Sequence, residues 1–109
     1  MGITTGCFIR ALPGLQAYDG LTIANWFINK KEDRLAIEFL VAAKIRTHEA
    51  LKADLMGEEA AQTIMKGIDD TLTALDDKDY TGAADKVTES AVKAIDEAMQ
   101  QAIECEIGR

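Results

Sequence analysis

His48 is the only histidine among the 109 residues, and imidazole is the side chain best suited to exchanging a proton or a small group near neutral pH. Lys44 and Lys52 stand four residues to either side, so on a helix both flank the ring. Two adjacent cations favour the neutral imidazole and attract an anionic group such as a phosphoryl. The thiols are Cys7 and Cys105, near opposite ends of the chain. Two cysteines are too few for a disulfide scaffold and no C-x-x-C pair is present, so both are expected as reduced thiols in a cytosolic protein. Each then reads as a small buried side chain, Cys7 beside Phe8 and Ile9, Cys105 on a seam of small residues. Acidic pairs occur at Glu58-Glu59, Asp69-Asp70, Asp76-Asp77 and Asp96-Glu97. Neighbours on a helix point about 100° apart, so these carboxylates diverge and read as solvated faces rather than an acid–base pair.

The stretch His48-Glu49-Ala50-Leu51-Lys52 resembles the active helix of histidine phosphotransfer domains, which carry such a histidine on a four-helix scaffold of similar size. Those domains place Lys three residues after the histidine and Gly four residues after it; here Leu51 and Lys52 hold those places. What the resemblance implies is a phosphoryl acceptor at His48, attended by Lys44 and Lys52, in a small regulatory module.

Other chemistries are excluded more firmly. No Glu has a His three residues on, so the carboxylate–histidine di-metal bundles do not fit. Cys7, His48 and Cys105 come from distant parts of the chain with no ligand spacing, so neither a metal nor a cofactor is expected. No G-x-G-x-x-G and no Gly-Lys-Ser/Thr is present to cradle a phosphate. A Cys7–His48 pair lacks a third, orienting group, so no catalytic residue is assigned and an enzyme is not the expected reading.

Net charge is −7 and uneven: residues 1–56 hold seven Lys/Arg against six Asp/Glu, residues 57–109 five against thirteen. A net-negative chain repels nucleic acid and anionic membrane surfaces, so neither is an expected partner. The Leu35–Ile45 run is too short, and too charged at its flanks, to span a bilayer. No targeting signal is read, and the expected location is cytoplasmic.

One all-α domain over 1–109 is expected, with an irregular apolar arm at 1–19 and a small antiparallel helical bundle over 20–109, made of one short helix and three long ones. Pro13-Gly14 suits the centre of a type II turn, and Asp19 is placed to cap a short helix over about 20–29. A second helix over about 30–56 begins with the run Leu35–Ile45, apolar almost all round, as the central post of a bundle would be. Gly57 is placed to end it. The third helix, about 58–75, carries a narrow stripe at Ala61, Ile64, Met65, Ile68, Leu72 and Leu75, and Gly67 inside it marks a close crossing. The last, reaching about Glu106, repeats small residues at Ala84, Ala91, Ala94, Ala98 and Ala102, a seam for tight contact within the chain or between copies.

The apolar share is 48 % although aromatics make up only 6 %, so apolar residues exceed what one small bundle obviously buries. Phe8, Ile9, Trp26 and Phe27 are the expected interface of a homo-oligomer, a dimer or higher. The leading expectation is therefore a non-enzymatic interaction or scaffold protein that self-associates and has room for a further protein partner. The alternatives are the His48 phosphotransfer module and a small-molecule binder with an apolar pocket formed by Trp26, Phe27, Phe39 and Met65.

Overall fold

Four helices account for most of residues 3–108, the residues that the computed structural model describes: α1 (Thr5–Asn29), α2 (Asp33–Lys52), α3 (Glu58–Asp76) and α4 (Tyr80–Ile107). No strand occurs among the described residues. Each helix packs on two others: α1 on α2 and α4, and α3 on α2 and α4.

The irregular arm and the short helix expected at the start are one helix of 25 residues. Thr4 caps it, its hydroxyl accepting from the Cys7 N–H at 3.4 Å. Pro13 lies inside the helix rather than in a turn. A helical proline removes one N–H and so deprives only the carbonyl four residues earlier, that of Ile9. The buried set Cys7, Ala11, Gly14, Ala17, Leu21, Ala24 and Ile28 runs straight past it at spacings of three and four. Gly14 is needed there because a Cβ would stand 2.8 Å from the Ala98 Cβ and 2.9 Å from the Ala94 carbonyl oxygen. The small-residue seam of α4 is thus filled within the chain, by α1.

The all-round apolar start of α2 does not make it a central post. Ala36, Leu40, Ala43, Thr47 and Ala50 face inward, while Ile37, Val41 and Ile45 remain exposed because only α1 and α3 contact this helix. The helix ends at Lys52, and Gly57 precedes α3 instead of terminating α2, its N–H donating to the Glu97 carboxylate at 2.6 Å.

The inter-helix turns share one construction. Lys31, Asp54 and Lys78 each adopt a positive φ near 60° just after a helix end. In each turn the next N–H reaches back to the helix: Glu32 to Phe27 at 2.9 Å, Leu55 to Ala50 at 2.9 Å, and Asp79 to Ala74 at 2.8 Å. These are Schellman caps in which glycine is usual and a side chain is tolerated.

The core joins Leu21, Ala24 and Ile28 of α1 to Ala36 and Leu40 of α2, Ile64, Ile68 and Leu75 of α3, and Val87 and Ala94 of α4. A smaller cluster, Ala11, Ala98 and Ala102, carries Leu15. Gly67 faces Ser90 at the close crossing its position suggests, where a Cβ would lie 1.8 Å from the Ser90 hydroxyl. Among the described residues, three polar residues are buried and each has an acceptor: Thr47 donates to Ala43 O at 2.8 Å, Thr71 to Gly67 O at 2.7 Å and Ser90 to Ile64 O at 3.1 Å.

Candidate functional site

The structure keeps His48 exposed on α2, with no hydrogen bond or ion pair among the described residues. Lys52 is exposed in the last turn of the same helix. Lys44 turns towards α3 and pairs with Asp69 at 2.7 Å, so one of the two flanking cations is already matched by a carboxylate. The next residue inward, Thr47, is buried. His48 lines neither the crevice of about 460 Å³ between Thr63 of α3 and Val92, Ile95 and Met99 of α4 nor the one of about 240 Å³ beside Glu49 and Ala50. The three residues share one helix, and the side chain that joins them from another is Asp69 of α3.

The cysteines differ from expectation. Cys7 and Cys105 form a disulfide, with Cα atoms 5.5 Å apart across a sequence separation of 98. The first turn of α1 lies against the last turn of α4, which brings two thiols from opposite ends of the chain within bonding reach. Cys7 is fully buried, as its apolar neighbours suggest. Thr4 reinforces the junction: its N–H and hydroxyl both donate to the Glu106 carboxylate, at 2.7 and 3.0 Å. While the bond is intact neither sulfur can serve as a nucleophile or metal ligand. Among the described residues no three His, Cys, Asp or Glu side chains converge on a common point, and no helix is long and apolar enough to cross a membrane.

The aromatic residues separate into inside and outside. Phe27 stacks on Phe39 with centroids 5.7 Å apart, and both pack on the core with Met65. Trp26 meets Phe27 edge-on at 5.2 Å but stays 58 % exposed, with the Lys30 ammonium 5.3 Å from its ring. Phe8 and Ile9 are likewise about half exposed, at 45 % and 53 %. Trp26, Phe27 and Phe39 therefore form one ring-to-ring cluster, and Met65 packs on the core from α3.

Most exposed apolar residues follow the helical period. Along α1 they are Phe8, Leu12, Leu15, Ile23 and Trp26, Leu12 and Leu15 being half-buried, with exposed Asp19 between Leu15 and Ile23 and exposed Ile9 beside the stripe; along α4 they are Val92, Met99, Ile103 and Ile107, with half-buried Ile95. The two stripes border one junction, since Leu15 rests on Ala98 and Ala102, and Val92 shares a crevice with Tyr18 and Thr22. Over all of α1 the only charged residues are Arg10 and Asp19. Arg10 is spent on the Asp54 carbonyl at 3.1 Å and on the Gln101 side chain at 3.3 Å. This helix is apolar nearly all round, a composition suited to burial, yet one of its sides faces outward. Sequence inspection finds the α1 half of this surface at Phe8, Ile9 and Trp26 and misses the α4 half, because Val92, Met99 and Ile103 read as flanks of the alanine seam.

A polar cluster joins the start of α2 to the α3–α4 turn. Lys78 and the Tyr80 hydroxyl both donate to the Asp33 carboxylate, the latter at 2.9 Å. Lys78, and then Tyr80, hold Asp33 below its ordinary value of 3.8, while the bond to Asp33 raises Tyr80 above 10.0 and Lys78 above 10.5. Every polar group in it is satisfied by another member, so the cluster is a tie between turns and leaves no atom aimed at a ligand. Comparison of the chain with protein families, with curated proteins and with solved structures finds no match.

Proposed function

We propose that the protein is a non-enzymatic interaction module, an antiparallel four-helix bundle that self-associates through the outer faces of α1 and α4. The antiparallel order is supported by ties between opposite ends of neighbouring helices: Cys7 with Cys105, Arg10 with the Asp54 carbonyl, and the Gly57 N–H with Glu97. The self-association rests chiefly on the outer side of α1, whose one exposed charge is Asp19 and where Phe8, Ile23 and Trp26 stand exposed, together with Val92, Met99 and Ile103 of α4. Side chains of this size, half exposed, leave on the order of 500 Å² of apolar surface, the range in which a patch on a monomer is usually functional. The charges on this face, Asp19 of α1 and Glu89, Lys93 and Asp96 beside the α4 stripe, are few against its apolar side chains, so a second copy suits it through apolar contact. Phe27 supports Trp26 from beneath and is not itself a contact.

The phosphotransfer reading draws less support, because Lys44 is engaged by Asp69 and His48 has no hydrogen-bond partner among the described residues to orient it. A cytoplasmic location leaned on two reduced thiols, and a formed disulfide fits an oxidising compartment better.

Multi-angle light scattering across a concentration series, read together with Trp26 emission, tests the proposal. The mass should rise to twice that of the chain as the emission moves to shorter wavelength. Phe8→Glu with Trp26→Asn should stay monomeric with unchanged helical circular dichroism. A wild-type chain that remains a monomer at millimolar concentration refutes self-association.

A further inference from the structure

Three contacts set the levels of α1 against α4. Cys7 is bonded to Cys105, Gly14 abuts Ala94 and Ala98, and Thr22 and Asn25 share a crevice with Thr88 and Val92. The numbering of α4 thus falls as that of α1 rises, and intermediate levels follow at equal rise per residue. Phe8 stands level with Ile103, Leu12 with Met99, and Asp19 with Lys93. Asp19 is exposed on the outer side of α1, and Lys93 is half-buried at the edge of the crevice that Val92, Asp96 and Met99 also line. Neither has an ion-pair partner among the described residues. Between 87 and 107 of α4 Lys93 is the only cation, with Glu89 about one turn before it and Asp96 about one turn after it.

That order of charges restricts how two copies can meet. A two-fold axis parallel to the helices lays α1 of each copy over α4 of the other and preserves the levels. Apolar side chains then oppose apolar ones at Phe8 and Leu12, and Asp19 meets the partner's Lys93. Sliding the copies by one helical turn would move Asp19 onto Glu89 or Asp96, and like charges would oppose each other. An axis across the helices would instead lay α4 on α4, carboxylate face against carboxylate face. At the far end of the face Lys30, 5.3 Å from the Trp26 ring, comes level with exposed Asp85, a second pair of opposite sign. Resting on the self-association reading above, we propose that the two copies pack about an axis parallel to the helices, α1 over α4, and that Asp19 paired with the partner's Lys93 fixes the register. The apolar stripes supply the affinity, and the charge pair selects the arrangement.

Asp19→Lys and Lys93→Glu test it, separately and mixed. Each alone puts two like-charge contacts into its own dimer and should raise the dimer dissociation constant by about tenfold at low salt. When the two variant chains are mixed, both contacts of the mixed dimer are again of opposite sign. That dimer should form to within about threefold of the wild-type affinity, read by sedimentation equilibrium and by native mass spectrometry. Recovery between separate chains cannot arise from a contact within one molecule, and helical circular dichroism verifies that each variant is folded. A wild-type dimer indifferent to both reversals, or variants that fail to recover on mixing, would overturn this arrangement and leave self-association standing. A wild-type chain that never dimerises removes both.

Discussion

Reduction of Cys7–Cys105 cuts the covalent link between the first turn of α1 and the last turn of α4 and leaves both sulfur atoms in place, so it isolates the cross-link from packing. The closed loop spans a sequence separation of 98. Loop-closure entropy for that length gives about 4.7 kcal/mol at 25 °C, and residual structure in the reduced unfolded chain lowers the expectation to about 3–4.5 kcal/mol. The unfolding entropy of a chain of this length is roughly 0.23 kcal/mol per degree, so the reduced protein should melt roughly 13–20 °C lower. The assay is circular dichroism at 222 nm during heating, with and without reductant, with mass spectrometry of alkylated samples to verify the thiol state. The Cys7→Ala/Cys105→Ala chain should melt near the reduced wild type and be indifferent to reductant. Melting temperatures that agree within about 3 °C before and after verified reduction would refute the reasoning, because the cross-link would then not restrict the unfolded chain as the entropy argument requires.

Two further outcomes concern packing and pH. Gly67→Ala should destabilise by about 2 kcal/mol despite its better helix propensity, because the new Cβ drives out the Ser90 hydroxyl and breaks its bond to Ile64 O. Adding Ser90→Ala should recover at least about 1 kcal/mol in a urea-unfolding double-mutant cycle, since the nearest atom then retreats to the Ser90 Cβ at 3.1 Å. Asp33 is held below its ordinary value, so its contribution is complete above 3.8 and is lost as pH falls through its lower folded value. Tyr80 and Lys78 are raised, so theirs is complete below 10.0 and is lost as pH rises above that. Asp33→Asn should therefore lower the urea midpoint at neutral pH and converge with wild type towards pH 2–3, the acid limit of carboxylate titration; parallel curves down to that limit would disprove the coupling.

The later helices were legible because their punctuation is ordinary. Acidic Glu58 and Glu59 open α3 where the helix dipole favours them, and the observed Glu58–Asp76 departs from the expected span by one residue at one end. α4 likewise begins at Tyr80 and ends one residue beyond expectation. The first helix was misjudged because Pro13-Gly14 is a strong local turn signal. Tertiary packing decided the matter, since Gly14 faces the Ala94–Ala98 surface and the buried stripe does not break. Counting Cys7 and Gly14 as members of that stripe exposes an unbroken pattern from 7 to 28, a signal present in the sequence but masked when glycine is read only as a breaker. The disulfide carried no comparable signal. It depends on which helix ends adjoin, a property of the assembled chain rather than of any spacing.

The bond between Cys7 and Cys105 also changes how the protein would respond to force. Tension applied outside residues 7 and 105 travels through the disulfide, and the 97 residues between them are bypassed. Pulled in this way, the oxidised molecule should lengthen by only a short, fixed amount, with its helices unloaded. Once reduced, the same pull would draw the whole chain out as an extensible spring. Whether the sulfurs are joined thus decides whether this domain is a stiff clasp or a compliant tether.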